Sequence, residues 1–383
     1  MRRRVVILTE IIAPYRIPVF NALAARPEVD LHVIFLSETD PDLRQWQVYR
    51  GEIRHSYEVL RSYRRRLGSF NVLLTRGLRA ALEKSKPQLI VAGGYNYLAT
   101  WQAQHWARPR SIPFLLWSES NVADARRKFW LVEAAKRKFL RSCQAYVVPG
   151  TSAAAYLKTF GVEDTKILVA PNAVDVERFS RAADVVRRDA RSRSELGLPE
   201  RYLLFVGRFV RAKGVFDLLA AYATLPKEIR QAVGVVLTGD GPEREKLKQC
   251  SREIMPGTVV FTGFLQRDEL PSVYALADAL VLPTHSDTWG LVVNEAVACG
   301  LPVIATRVAG CVADLVVEGE NGFVVDVGDS KALSEAMKKI LSDPVLRGRL
   351  AEGSRALSDR FTPEAWATGM VRAVEGLVGE GRG

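Results

Sequence analysis

Short, mostly apolar runs recur along this chain, and segments with helical spacing follow them. In the first half they are Val5–Leu8, Leu31–Leu36, Leu89–Val91, Phe114–Trp117 and Ala145–Val148. In the second half they are Tyr202–Val206, Gly234–Thr238, Thr258–Thr262, Ala279–Leu282 and Pro302–Ala305. Runs without a polar alternation suit strands buried on both faces, and strand–helix alternation makes a parallel sheet covered by helices. Helical patterns lie between the runs, for example at Pro18–Ala25 and Leu73–Lys84. A polar stretch, Ser180–Glu200, breaks the pattern and reads as a linker or a surface helix. The expected fold class is therefore α/β, with two Rossmann-like, doubly wound domains facing a cleft. The expected bounds are 1–183, a linker at 184–200, a second domain at 201–360, and a last helical segment at 361–383.

A length of 383 residues agrees with about two domains. With 48% hydrophobic and 25% charged residues, the composition is that of a soluble globular protein. Met1–Arg4 followed by Val5–Leu8 is too short in its apolar part for a secretory leader, so a first strand is expected there. No stretch has the length of a membrane-spanning helix. The four cysteines have no metal-ligand spacing and the four histidines are scattered. A reduced, cytoplasmic protein without a metal centre is the simplest expectation.

Charge is shared unevenly. Residues 1–183 carry 29 Lys and Arg against 16 Asp and Glu, a net of +13, whereas residues 184–383 carry 25 against 27, a net of −2. A basic first half beside a neutral second half points to an anionic partner on one side. Two clusters contribute: Arg61, Arg64, Arg65 and Arg66, and Arg126–Lys128 continuing to Lys136–Arg141 with Phe129, Trp130, Leu131 and Phe139 interleaved. The second cluster fits either a peripheral helix on an anionic membrane or a solvated helix whose Phe129, Val132 and Phe139 face the core. Nucleic acid is a weaker partner, because no recognition motif accompanies the charge.

Chemistry concentrates in Leu282–Gly300, LPTHSDTWGLVVNEAVACG. It follows the apolar run Ala279–Leu282 and places Asp287 and Glu295 eight positions apart across Trp289, Gly290 and Leu291. After Gly290 the spacing is helical. A strand end, a glycine turn and a helix start form the usual ligand position of an open parallel sheet, and free N–H groups there favour anions. Arg208 and Lys213 follow the strand Tyr202–Val206 and would project from its carboxyl end, where Arg can grip phosphate oxygens and Lys adds a point charge.

This pattern resembles the acid-x7-acid signature of retaining, nucleotide-sugar-dependent glycosyltransferases of family 4, the group 1 glycosyltransferases of B-type fold. Further segments resemble the family in the same order: Pro171–Asp175, Val206–Gly214, Thr238–Pro242 and Phe261–Phe264. The resemblance spans roughly residues 145–330. It implies that Arg208 and Lys213 hold the donor diphosphate, that Glu295 takes the ribose hydroxyls, and that Asp287 contacts the donor sugar. Asp287 stands where the family usually has Glu, and Trp289 stands where Phe is usual and would widen the aromatic wall. Gly290 and Leu291 would offer backbone N–H groups to sugar or phosphate, and Gly263, Phe264 and Leu265 would line the base pocket. The last helix, roughly Pro363–Val378, would pack back on the first domain.

The first domain departs from the family's pattern. Its first loop, Thr9–Pro18, has no glycine. Its PYR-x-P-x-FNAL stretch resembles relatives acting in surface-polysaccharide or related glycan assembly. Glu119 stands near where the family often has a histidine, facing either the sugar or the acceptor hydroxyl; a helix-capping network with Ser118 is the alternative. Arg16 would approach the donor phosphate or an anionic acceptor. The resemblance implies a UDP- or GDP-linked sugar donor, a glycan or lipid-linked acceptor, retention of configuration, and no cofactor or metal. A transferase for a soluble small-molecule acceptor and a non-catalytic sugar-nucleotide-binding protein are the alternatives. A sugar-nucleotide epimerase or a glycan phosphorylase fits the ordered motifs less well.

Overall fold

The computed structural model describes residues 2–40, 45–67, 70–122, 130–189, 197–254 and 257–379. The chain divides into two compact units, Met1–Ala173 with Pro363–Gly383, and Val174–Thr362.

The strands of the first unit are β1 (Arg3–Thr9), β2 (Val29–Phe35), β3 (Ser56–Val59), β4 (Arg61–Leu67), β5 (Phe70–Arg76), β6 (Leu89–Gly93), β7 (Phe114–Trp117), β8 (Ala145–Val148) and β9 (Ile167–Val169). Seven of them form one sheet in the order β3-β2-β1-β6-β7-β8-β9. All its neighbours are parallel, and Val6 pairs with both His32 and Ile90. Alternate residues feed two cores. Val5, Ile7, Val33 and Val91 pack with Phe20 on one face, and Val6, Leu8, Ile34 and Ile90 pack with Leu82 and Phe139 on the other. Burial on both faces is why these strands carry no polar alternation. The helix Pro363–Gly379 belongs to this unit. Its Trp366 is fully buried, 5.8 Å from the Phe20 ring and 5.4 Å from that of Trp117.

The second unit holds β10 (Tyr202–Val206), β11 (Gly234–Thr238), β12 (Val259–Gly263), β13 (Ala279–Leu282), β14 (Val303–Thr306) and β15 (Gly322–Val325). They form a parallel sheet in the order β12-β11-β10-β13-β14-β15, the Rossmann order 3-2-1-4-5-6. Tyr202, Leu204 and Val206 pack on one face with Trp289 and Val293; Leu203 and Phe205 pack on the other with Leu218 and Met337.

Some boundaries differ from those the sequence suggested. The units part at Ala173/Val174 rather than at 183, because the helix Val176–Arg188 buries Phe179 and Ala183 in the core of the second unit. This helix takes in the start of the expected linker; residues 190–196 lie outside the described residues. The segment Leu73–Lys84 is not one helix. Leu73–Arg76 closes β5, held by its pairing with β4, and the helix Leu78–Ser85 begins after Gly77. Strands β3 and β4 lack the apolar run that marks the others, whereas β9 and β15 carry short ones, ILV and GFVV, that the sequence reading passed over.

Of the second basic cluster, Arg126–Phe129 lie outside the described residues. In the helix Trp130–Leu140, Phe139 is buried in the core while Trp130 and Val132 are exposed. No helix among the described residues is long and apolar enough to cross a membrane.

Candidate active site

In the second unit, chain connections leave β10 and β13 toward opposite sides of the sheet, so their carboxyl ends flank a crevice at the topological switch point. The loops that follow these two strands are stitched together. The His285 amide donates to the Ala212 carbonyl at 2.8 Å, and the Thr284 hydroxyl donates to the same oxygen at 2.9 Å. Gly214 has φ +66°, and a Cβ there would collide with the Pro283 carbonyl oxygen. Only glycine fits both the left-handed backbone and this close approach.

That contact sets Lys213 opposite Asp287. The Lys213 Nζ lies 2.5 Å from Asp287 Oδ2, with both side chains largely sheltered. Asp287 is fixed through its own backbone, whose carbonyl accepts from the Gly310 amide at 3.1 Å. Gly290, at φ +96°, turns the chain into the helix Leu291–Ala298. In its first turn the Val293 N–H donates to the Gly290 carbonyl at 2.9 Å, while those of Leu291 and Val292 have no intrahelical acceptor. Arg208 is exposed at the end of β10 and forms no ion pair among the described residues. The switch point thus gathers a lysine, an aspartate and a helix start, with a free guanidinium on the loop leading to them.

Glu295 sits on the same helix and is half-buried. The fully buried Tyr274 donates its hydroxyl to Glu295 Oε2 at 2.6 Å. Burial pushes the Glu295 carboxyl up to about 7, with the Tyr274 hydrogen bond opposing the shift. Tyr274 itself is pushed up, first by burial and then by the adjacent carboxylate.

Trp289 does not widen an open aromatic wall. It is 2% exposed, packs in the core beneath β13, and donates its indole N–H to Asn294 at 2.8 Å. Its carbonyl accepts from the Cys311 amide at 2.9 Å, next to the Gly310 amide that binds Asp287. At the end of β12, the Gly263 carbonyl accepts from the Gly239 amide at 2.8 Å, Phe264 is exposed, and Leu265 packs against the core. Phe264 is therefore the member of that trio with a free apolar ring.

In the first unit, Arg16 and Glu119 form an ion pair. Arg16 also donates to Asn172 Oδ1 at 3.0 Å, and its guanidinium lies 4.2 Å from the centre of the Trp117 ring. A stacked, doubly hydrogen-bonded guanidinium is a fixed charge. Glu119 remains about one-third exposed, so its outer edge is open to a ligand.

Sequence reasoning missed Tyr274, Trp117 and the role of Asn172. Asn172 belongs to the Pro171–Asp175 segment that carried the resemblance, so that segment was its signal. Tyr274 had none, because it lies in a short helix, Leu270–Ala275, remote in sequence from Glu295. Among the described residues, no group of three or more His, Cys, Asp or Glu side chains is placed to hold a metal ion.

Residues 20–178 match the family Glycosyltransferase Family 4, and residues 186–357 match Glycosyl transferases group 1. A D-inositol 3-phosphate glycosyltransferase of Corynebacterium jeikeium is 36% identical over 220 residues, which cover 55% of this chain and 52% of that protein. The lipopolysaccharide core biosynthesis glycosyltransferase LpsE of Rhizobium meliloti is 33% identical over 192 residues, covering 50% of this chain and 54% of that one. The chain spans about half the length of the curated relatives it matches. In fold it is similar to sucrose-phosphate synthase from Thermosynechococcus elongatus, with a TM-score of 0.76 at 22% identity, over 99% of this chain and 100% of that one. It is also similar to Anabaena HepE in complex with UDP-glucose, with a TM-score of 0.72 at 19% identity over 99% and 100% of the two chains. With two family matches that together take in most of the chain, and two Rossmann-like units of the B-type fold, the chain belongs to the group 1, family 4 glycosyltransferases.

Proposed function

We propose that the protein transfers a sugar from a nucleoside-diphosphate donor to a glycan or lipid-linked acceptor, with retention of anomeric configuration and without a metal. The observation that carries this is the Lys213–Asp287 pair beside the helix start at Leu291. Asp287 accepts hydroxyls of the donor sugar. Lys213, Arg208 and the Leu291 end of the helix receive the charge that grows on the diphosphate as the anomeric C–O bond breaks. Glu295 takes the ribose hydroxyls. The acceptor oxygen bonds to the anomeric carbon from the face the diphosphate leaves, and its proton passes to a departing phosphate oxygen. Glu119, held by Arg16, faces the sugar or the incoming hydroxyl.

The likeness to HepE, whose structure holds UDP-glucose, supports testing uridine donors first. The relatives that act on D-inositol 3-phosphate or in lipopolysaccharide core biosynthesis support an anionic or membrane-borne acceptor. Thermal shift with a panel of UDP-, GDP- and ADP-sugars identifies the donor, because a ligand bound to the native state raises its apparent stability. Transfer is then assayed in excess EDTA, and the product's anomeric configuration read by NMR. No shift with any donor, or loss of activity restored by magnesium or manganese, overturns the proposal.

A further inference from the structure

Strands β4 and β5 form a two-stranded antiparallel ribbon with two unlike faces. Directly opposed residues share a face, so Arg61, Tyr63 and Arg65 lie with Arg76, Leu74 and Val72. This face is open, with Tyr63 64% and Leu74 49% exposed. Arg61, Arg65 and Arg76 are exposed too, and among the described residues no carboxylate pairs with them. Arg61 stands directly opposite Arg76, and Tyr63 opposite Leu74. Like charges in register are destabilising, and an exposed aromatic–leucine pair adds no burial within the unit.

The other face anchors the ribbon. Arg64 Nη1 lies 2.9 Å from Asp40 Oδ2 and 3.0 Å from Glu10 Oε1, in the segments that follow β2 and β1. Leu73 is buried in the core of the same unit. The outward face is thus held in a fixed orientation by ties on the inward face.

We propose that this outer face docks the protein on an anionic membrane surface. The three guanidinium groups meet lipid phosphates, which they can grip in a planar, two-point manner, and so relieve the repulsion between Arg61 and Arg76. Tyr63 and Leu74 enter the headgroup boundary, where a ring with one polar end is favoured. The face carries cations and apolar groups and no acid, which is the complement of an anionic bilayer. The docking deepens the membrane-borne acceptor of the proposed function and rests on it for its purpose, though the contact itself needs no turnover.

The test is co-sedimentation of the full chain with phosphatidylcholine vesicles, with and without phosphatidylglycerol, at low and high salt. Binding is expected only with phosphatidylglycerol and is expected to weaken as salt rises. The triple variant Arg61→Gln, Arg65→Gln, Arg76→Gln should lose on the order of a hundredfold in partitioning, from the usual contribution of each basic residue at such a surface. The double variant Tyr63→Ser, Leu74→Ser should lose about tenfold at unchanged charge. Circular dichroism melts check that both variants remain folded. A protein that ignores phosphatidylglycerol vesicles at low salt, or variants that bind as well as the parent, overturn the docking. Thermal shift with nucleotide sugars is run on the same samples. A missing shift beside intact vesicle binding overturns the transferase proposal and leaves the docking standing.

Discussion

Lys213 and Asp287 are 74 residues apart in sequence and 2.5 Å apart in space. Each belongs to the loop after a different strand, and the strands are neighbours because the strand order reverses between β10 and β13 while the pairing stays parallel. On the proposed function, a donor sugar phosphate entering here would meet both charges together.

Lys213→Ala should lower turnover by about two to three orders of magnitude, since a preorganised donor to developing charge is removed. It should also cost about 1–3 kcal/mol of stability, because Asp287 keeps a sheltered carboxylate without its cation. Arg208→Ala should lower turnover similarly and leave stability unchanged, as Arg208 is exposed and unpaired among the described residues. Steady-state rates and urea melts on the two variants separate these effects. Normal turnover in both would remove the phosphate role.

Glu295 gives the second unit a pH signature. Its carboxyl titrates at about 7 in the folded state against 4.5 ordinarily, so between these values the folded state binds more protons than the unfolded. Stability should therefore fall as pH rises through that window, by at most about 3 kcal/mol. Glu295→Gln should flatten the slope. On the proposed ribose role, affinity for the free nucleoside diphosphate should rise more steeply with pH through 7 in the parent than in the variant, whose remaining slope is the diphosphate's own titration, because the ionised carboxylate accepts from both ribose hydroxyls. Denaturant melts and calorimetric titrations at pH 5 to 8 check both.

Arg16→Ala should destabilise the first unit by about 3–5 kcal/mol, because a largely buried guanidinium is lost from Glu119, Asn172 and the Trp117 ring at once. Arg16→Lys should recover only part of this, since a point charge on a flexible stem cannot serve two acceptors and a ring in one plane. Urea unfolding of the three proteins gives the order; equal stability of parent and Arg16→Lys would contradict it.

Gly214→Ala should be more damaging than its size suggests. The added methyl meets the Pro283 carbonyl, and the backbone is left-handed. A loss of more than about 2 kcal/mol is expected. Turnover should fall with it, because the loops carrying Lys213 and Asp287 are pushed apart. A melting temperature within a degree of the parent's would rule out the close approach.

The strands legible in the sequence are those buried on both faces. Tyr202–Val206 could be read as a strand because it contains no polar residue, and the same holds for Ala279–Leu282. Strand β4 could not, since Arg61–Leu67 is mostly arginine and becomes a strand only through its partner β5. Leu73–Lys84 carried a helical period across a strand end, and Gly77 was the overlooked break. At the site, Lys213, Asp287, Gly290 and Glu295 were legible because motif spacing brought each into view. Their pairing was not, because Lys213–Asp287 and Tyr274–Glu295 are made by strand order and helix packing. Trp289 was misplaced for a related reason: sequence shows an aromatic beside a site but not which way its ring turns.

The placement of helix Pro363–Gly379 bears on how the protein is made. The second unit is complete once residue 362 has left the ribosome and can close its core during synthesis. The first unit cannot, because Trp366 fills the space beside Phe20 and Trp117 and is translated after the second unit. The strands of the first unit therefore wait, with an aromatic gap in their core, for a helix made after the whole second unit. A nonsense mutation near residue 360 would spare the sheet of the second unit and leave the first unit with that gap, open to proteolysis.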